Sequence, residues 1–182
     1  MVAELARATI GDTFNQYRGS RLRRERLREY LDGKQHASIV LVGEAAGYRG
    51  ARVSGIPFTS ERQLTGRGPA EATATVVQRT LAALGIEEQV LLWNVVPTHP
   101  HEPGRPYTNR RPTRDEVQES ALFLAEVACG RRLIAVGRLA EEVTGAPYVR
   151  HPSHGGAVAF RRDLEALLLR FRAGARRCAA FS

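Results

Sequence analysis

Three short segments of this chain carry residue types that do chemistry: Gly43-Glu44-Ala45-Ala46-Gly47, Leu91-Leu92-Trp93-Asn94-Val95-Val96-Pro97 and His151-Pro152-Ser153-His154-Gly155-Gly156. In the third, a His opens a loop that continues with Pro, a hydroxyl and two glycines before a helix. Backbone N–H groups at a helix start bind anions, and glycine lets the backbone approach a ligand closely. Such a loop can therefore reach both an anionic leaving group and a phosphate. The Glu44 carboxylate can orient or deprotonate water. The Asn94 amide presents one donor and one acceptor, which matches a uracil-type edge where an imide N–H adjoins a carbonyl. Phe58, in Gly55-Ile56-Pro57-Phe58, offers a ring on which a flat base stacks, worth about 1–3 kcal/mol. His151 can hydrogen-bond an oxygen that gains negative charge. No nucleophilic Ser or Cys, P-loop or metal-ligand cluster is required. The set fits hydrolysis of an N-glycosidic bond in an extruded nucleotide.

The elements that must position these residues are legible in the hydrophobic pattern. Residues 38–42 form a continuous apolar run of buried-strand type. Residues 89–93 and 132–136 read as a second and a third strand, and 146–150 contain a short fourth. Helices are expected over 20–31 with Ser20 as N-cap, over 69–83 with Gly85 ending it, and from Thr113 to about Gly130. Thr113 and Glu116 have capping-box spacing. A short helix over 139–143 and a closing helix over 157–172 complete the series, while 44–68 reads as one long loop. Alternating strands and helices predict a three-layer α/β/α sandwich around a central, mostly parallel, four-stranded sheet. Ligands bind beyond the carboxyl ends of such strands. All three segments begin there, so they should converge.

The 182 residues suit one domain, with 1–37 as a helical extension packed on it. A hydrophobic content of 43% with 25% charged residues is that of a soluble globular chain. No apolar run is long enough to span a membrane, and the first ten residues lack a signal-peptide core; a cytoplasmic, nucleoid-associated bacterial protein is expected. A net charge of +8 favours a polyanionic partner, of which nucleic acid is the commonest. The arginine run at 21–28 is expected to be a solvated helix face. The two cysteines, Cys129 and Cys178, are expected to be free thiols. His99 and His101 are expected to be solvated or to face DNA.

The motifs resemble those of the uracil-DNA glycosylase superfamily over about residues 38–171. Gly43-Glu44-Ala45-Ala46-Gly47 is similar to the Gly-Glu-Ala-Pro-Gly motif of its iron–sulfur branch, and Asn109-Arg110-Arg111-Pro112-Thr113 to a stretch of the same branch. The resemblance implies catalytic roles for Glu44 and His151 and base binding by Gly43, Ala45, Tyr48, Phe58 and Asn94. It implies DNA contacts from Arg110, Arg111, Pro152, Ser153, His154 and Gly155. Thr98 and Ser120 stand where that branch carries two of its four cluster cysteines, so no metal and no cofactor is expected. Asn109 stands where a related branch has a His that bonds the abasic site, so a monofunctional enzyme without lyase activity is expected. Ala45 replaces the catalytic Asp of the best-known branch, and Gly47 replaces its thymine-excluding Tyr, with Tyr48 one residue later. His154-Gly155-Gly156 lacks that branch's Leu wedge. The implied activity is release of uracil from single- or double-stranded DNA by base flipping, by a monomer. Two alternatives are a hypoxanthine/xanthine glycosylase of the same fold and a damaged-DNA binder that has lost hydrolysis.

Overall fold

The computed structural model describes residues 1–179; of the last helical turns, the side chains of Arg172 and of residues 174–179 are not described, so the expectation for the Cys178 thiol lies outside what is described. Four parallel strands form one sheet: β1 (Ile39–Ala45), β2 (Val90–Val96), β3 (Arg132–Val136) and β4 (Tyr148–Val149), in the order β2-β1-β3-β4. Eight α-helices accompany them among the described residues: α1 (Val2–Arg7), α2 (Arg21–Gly33), α3 (Ala51–Ser54), α4 (Glu61–Thr65), α5 (Ala72–Leu84), α6 (Arg114–Ala128), α7 (Arg138–Thr144) and α8 (Ala157–Ala179).

Period-2 alternation along the strands divides the interior into two layers. Val40 and Val42 of β1, with Leu91, Trp93 and Val95 of β2, pack with Leu5, Ile10, Tyr17, Leu27, Leu124 and Val127. Ile39 and Leu41, with Val90, Leu92, Ile134 and Val136, pack on the opposite face with Val77 and Leu81 of α5 and Phe160, Leu164 and Leu168 of α8. The expected α/β/α sandwich is therefore present, and the segment before β1 contributes to one of its cores.

Local signals hold where chemistry is local. Ser20 caps α2 by accepting from the Arg23 N–H, and Thr113 and Glu116 form a reciprocal capping box on α6. Gly85 ends α5 in the left-handed region. Three boundaries differ from the expected ones. Strand β1 continues to Ala45 because Gly43 pairs with Asn94 and Ala45 with Val96, so Glu44 lies within the strand end. The 44–68 segment holds α3 and α4, each closed by a left-handed glycine (Gly55 and Gly66). Helix α5 starts at Ala72 rather than at Pro69. The arginine run of α2 also departs from a solvated face. Arg23 and Arg24 donate to backbone carbonyls, and Arg26 forks onto Glu61. Arg23 and Arg26 bind the 50s and 60s segments to α2, and Arg24 binds the turn at Tyr17 and Arg18.

The chain runs outward from β1 to β2, then crosses to β3 on the other side of β1. The carboxyl ends of β1 and β3 thus form the point where connections diverge, which opens a crevice.

Candidate active site

A pocket of about 350 Å³ occupies that crevice, lined by residues from every expected segment: Glu44 and Ala45, Phe58, Asn94, Arg110, His151, Ser153 and His154. Ala46, Gly47, Ala51, Glu71, Thr73, Pro100 and Asn109 complete the wall.

Gly43 sits against the pocket's floor. A Cβ there would lie 2.9 Å from Asn94 Oδ1 and 2.7 Å from Cε2 of Phe58. Only a glycine lets the Phe58 ring and the Asn94 amide close over the strand end together. Both side chains are buried. Phe58 is held with φ of 50°, and the other non-glycine residue with positive φ among the described residues, His154 at 51°, also lines the pocket. Such backbone is costly for a residue with a Cβ and clusters at ligand sites. Gln78 Nε2 donates to the Phe58 carbonyl at 3.2 Å, which helps hold that turn.

His151 follows β4 by two residues and packs its ring over Gly137, where β3 ends; a Cβ on Gly137 would lie 3.6 Å from the ring's Cδ2. The Ser153 backbone N–H donates to His151 Nδ1 at 3.2 Å, and Ser153 Oγ lies 2.7 Å from the same nitrogen. Burial, with Arg150 and His154 nearby, holds the imidazole pKa below its ordinary value. A backbone N–H only donates, so Nδ1 is the acceptor and the neutral ring carries its proton on Nε2. Gly156 lets the loop close: a Cβ there would lie 3.0 Å from the Ser153 carbonyl oxygen and nearer still to that of His151.

Glu44 is half-buried. Burial raises its pKa, and Arg111, which pairs with Glu142 at 2.7 Å, pulls the other way. A carboxyl with a raised pKa can accept a proton from water near neutral pH.

The remaining expected residues are placed as follows. Arg110 lines the pocket, but its guanidinium forks onto the buried Glu116 and its Nε donates to the His101 carbonyl. Its charge is paired within the fold. Arg111 is exposed, Pro152 is buried and Gly155 is exposed; none of the three lines the pocket. Tyr48 does not line it either: Arg49 stacks on its ring, and its N–H donates to Asn109 Oδ1. His99, expected at the surface, is fully buried. A two-way backbone bridge with Phe14 covers it, and its Nδ1 lies 2.8 Å from the Ala46 carbonyl. Thr98 and Ser120 are both buried, Thr98 bonding Thr13 through its hydroxyl at 2.6 Å. Hydroxyls in place of thiolates do not fit an iron–sulfur cluster.

Glu71 was not legible as a site residue. It precedes α5 at the N-cap position, yet makes no side-chain cap bond. Its carboxyl instead turns to the pocket and fills the space left by two glycines: a Cβ on Gly47 or Gly50 would overlap it. Burial alone raises its pKa. The helix expected over 69–83 places Glu71 in its first turn, where an acid is ordinary, so the sequence carries no signal for it.

The pocket thus unites a stacking ring, an amide, a neutral imidazole donor and two carboxyls. These suit binding of a planar base and stabilisation of an anionic leaving group. A family model described as "Uracil DNA glycosylase superfamily" matches residues 31–171. The crystal structure of wild-type SMUG2 from Pedobacter heparinus superposes with a TM-score of 0.70, at 12% identity, over 96% of this chain and 96% of that one. A search of curated protein sequences finds no match. With the family model spanning most of its length and the fold shared, this chain belongs to the uracil DNA glycosylase superfamily.

Proposed function

We propose that this protein releases uracil from DNA by hydrolysing the N-glycosidic bond of an extruded nucleotide, leaving an abasic site. The observation that carries the reading is the meeting of Phe58, Asn94, His151 and Glu44 around one pocket at the strand ends. The flipped base stacks on Phe58. Asn94 pairs with the imide edge and disfavours cytosine, whose amino group leaves the buried amide mispaired; such polar mismatches discriminate strongly. As the sugar–base bond breaks toward an oxocarbenium ion and a uracil anion, the Nε2–H of His151 donates to the oxygen gaining charge. Glu44 orients the water that attacks the sugar carbon and takes its proton. DNA is the partner, uracil the released product, and the chain acts as a cytoplasmic monomer without a lyase step.

The test is alkali-dependent strand cleavage of uracil-containing oligonucleotides, single- and double-stranded. Wild-type cleavage that is unchanged in both His151→Ala and Asn94→Ala overturns the assigned roles.

A second reading changes the lesion to hypoxanthine or xanthine, whose lactam edges also match Asn94. The Glu71 carboxyl favours it, because it places a second hydrogen-bonding group on the pocket wall. Single-turnover base release from the three lesions in parallel decides between the readings.

A further inference from the structure

We infer that Phe14, Arg52 and Tyr107 form a stacking subsite at the pocket mouth for a nucleobase flanking the extruded nucleotide in single-stranded or locally opened DNA. The inference rests on the DNA-directed reading above. The Arg52 guanidinium carbon lies 4.8 Å from the Phe14 ring centroid and 5.2 Å from that of Tyr107. One cation is thus shared by two rings from distant parts of the chain. Each residue is tied by sequence or pairing to the pocket wall. Phe14 bridges to His99, the neighbour of Pro100; Arg52 follows Ala51; Tyr107 lies two residues before Asn109.

Both rings are open to solvent, Phe14 at 39% and Tyr107 at 70% exposure. Single exposed apolar residues are ordinary on a protein surface. Two exposed rings around one arginine, on the rim of a base-binding pocket, are the constellation that grips single-stranded nucleic acid: π-faces for bases and a cation for the backbone.

The local charge points to the same ligand. Arg23, whose pKa is held below its ordinary value by burial and then by the nearby charge of Arg52, is a second cation beside it. The buried Nε of Arg52 has no hydrogen-bond partner among the described residues. The charge of these two arginines is complemented by a phosphodiester backbone. The loop 153–156 offers no large apolar side chain to fill a vacated stack, so the rim rings are the available surface for a neighbouring base.

The experiment measures binding of the full chain to a uracil-free oligothymidylate and to a uracil-free duplex by fluorescence anisotropy at fixed salt. Removing one stacking ring in Tyr107→Ala should weaken oligothymidylate binding about 5- to 100-fold and duplex binding much less, while Tyr107→Phe retains wild-type affinity. Unchanged oligothymidylate affinity in Tyr107→Ala overturns the subsite, as does an equal loss on both DNAs. Because neither probe contains uracil, this result is independent of hydrolysis. Failure of the glycosylase reading would instead show as no base release by the wild type.

Discussion

The Ser153 backbone N–H and His151 Nδ1 lie 3.2 Å apart, and that contact settles which ring nitrogen holds the proton. Nδ1 accepts, so Nε2 donates. Protonation at Nδ1 would set two N–H groups against each other and expel the Ser153 turn. Burial already depresses the imidazole pKa below 6.5, so the neutral donor form is in place at neutral pH.

His151→Ala is therefore expected to lower the single-turnover rate of base release by about 10²–10³-fold, the usual worth of a donor at a developing oxyanion, with little change in DNA affinity. The wild-type rate should be level above pH 6.5 and fall as pH drops through the depressed pKa. Rapid-quench kinetics across pH 5–8 check both outcomes. The stability term has the same sign: the neutral form is favoured by folding, so its contribution is full above pH 6.5 and lost as pH falls.

Gly43→Ala is expected to damage base recognition by displacing two neighbouring side chains. Its new Cβ would meet the Phe58 ring and the Asn94 amide together. Overpacking of this kind costs about 1–3 kcal/mol in stability, so the variant should still fold. Its signature is a raised KM for uracil-DNA together with reduced preference for uracil over cytosine. Wild-type KM and selectivity in a folded Gly43→Ala protein would count against the Phe58–Asn94 pocket floor.

What the sequence disclosed divides along a physical line. Strand β3 has its expected bounds, and the caps at Ser20 and Thr113 are as read, because strand runs and caps depend on residues a few positions apart. Convergence of Glu44, Asn94 and His151 also followed from the sequence, since parallel topology brings strand carboxyl ends together. Contacts made by folding were not legible. His99 is buried by a bridge from Phe14, at the far end of the sequence. The pairing of Arg110 with Glu116, which turns back to it from α6, was not legible either. Glu71 enters the pocket only because Gly47 and Gly50, more than twenty residues earlier, leave it room.

For Glu71, burial raises the folded-state pKa above 4.5. A group shifted in that direction gives its full contribution to stability below the unfolded pKa, and that contribution is lost as pH rises through the folded value. Glu71→Gln removes the charge while keeping the shape. Thermal melts of wild type and variant should coincide near pH 4 and separate at pH 7–8, with the Gln variant melting higher. Should the Gln variant melt lower at pH 8, the carboxylate has a partner in the folded chain that burial alone does not describe.

Glu116 is expected to be the most costly single charge to remove. Its carboxylate receives the Arg110 fork, with Nη1 to Oε2 at 2.8 Å, and the Thr113 N–H at 2.9 Å. Burial pushes its pKa up, and these donors outweigh that, so the carboxyl sits below its ordinary range. Glu116→Ala leaves the largely buried Arg110 uncompensated and opens half of the α6 capping box. Breaking a buried pair from one side typically costs about 3–5 kcal/mol. In a chain of this size that lowers Tm by about 2–4 °C for each kcal/mol. The double variant Arg110→Met/Glu116→Leu should recover much of the loss, because it removes both charges and refills the volume. Calorimetry of Arg110→Met, Glu116→Leu and the double variant gives the coupling between the two sites. A coupling near zero would mean that Glu116 acts through the helix cap alone.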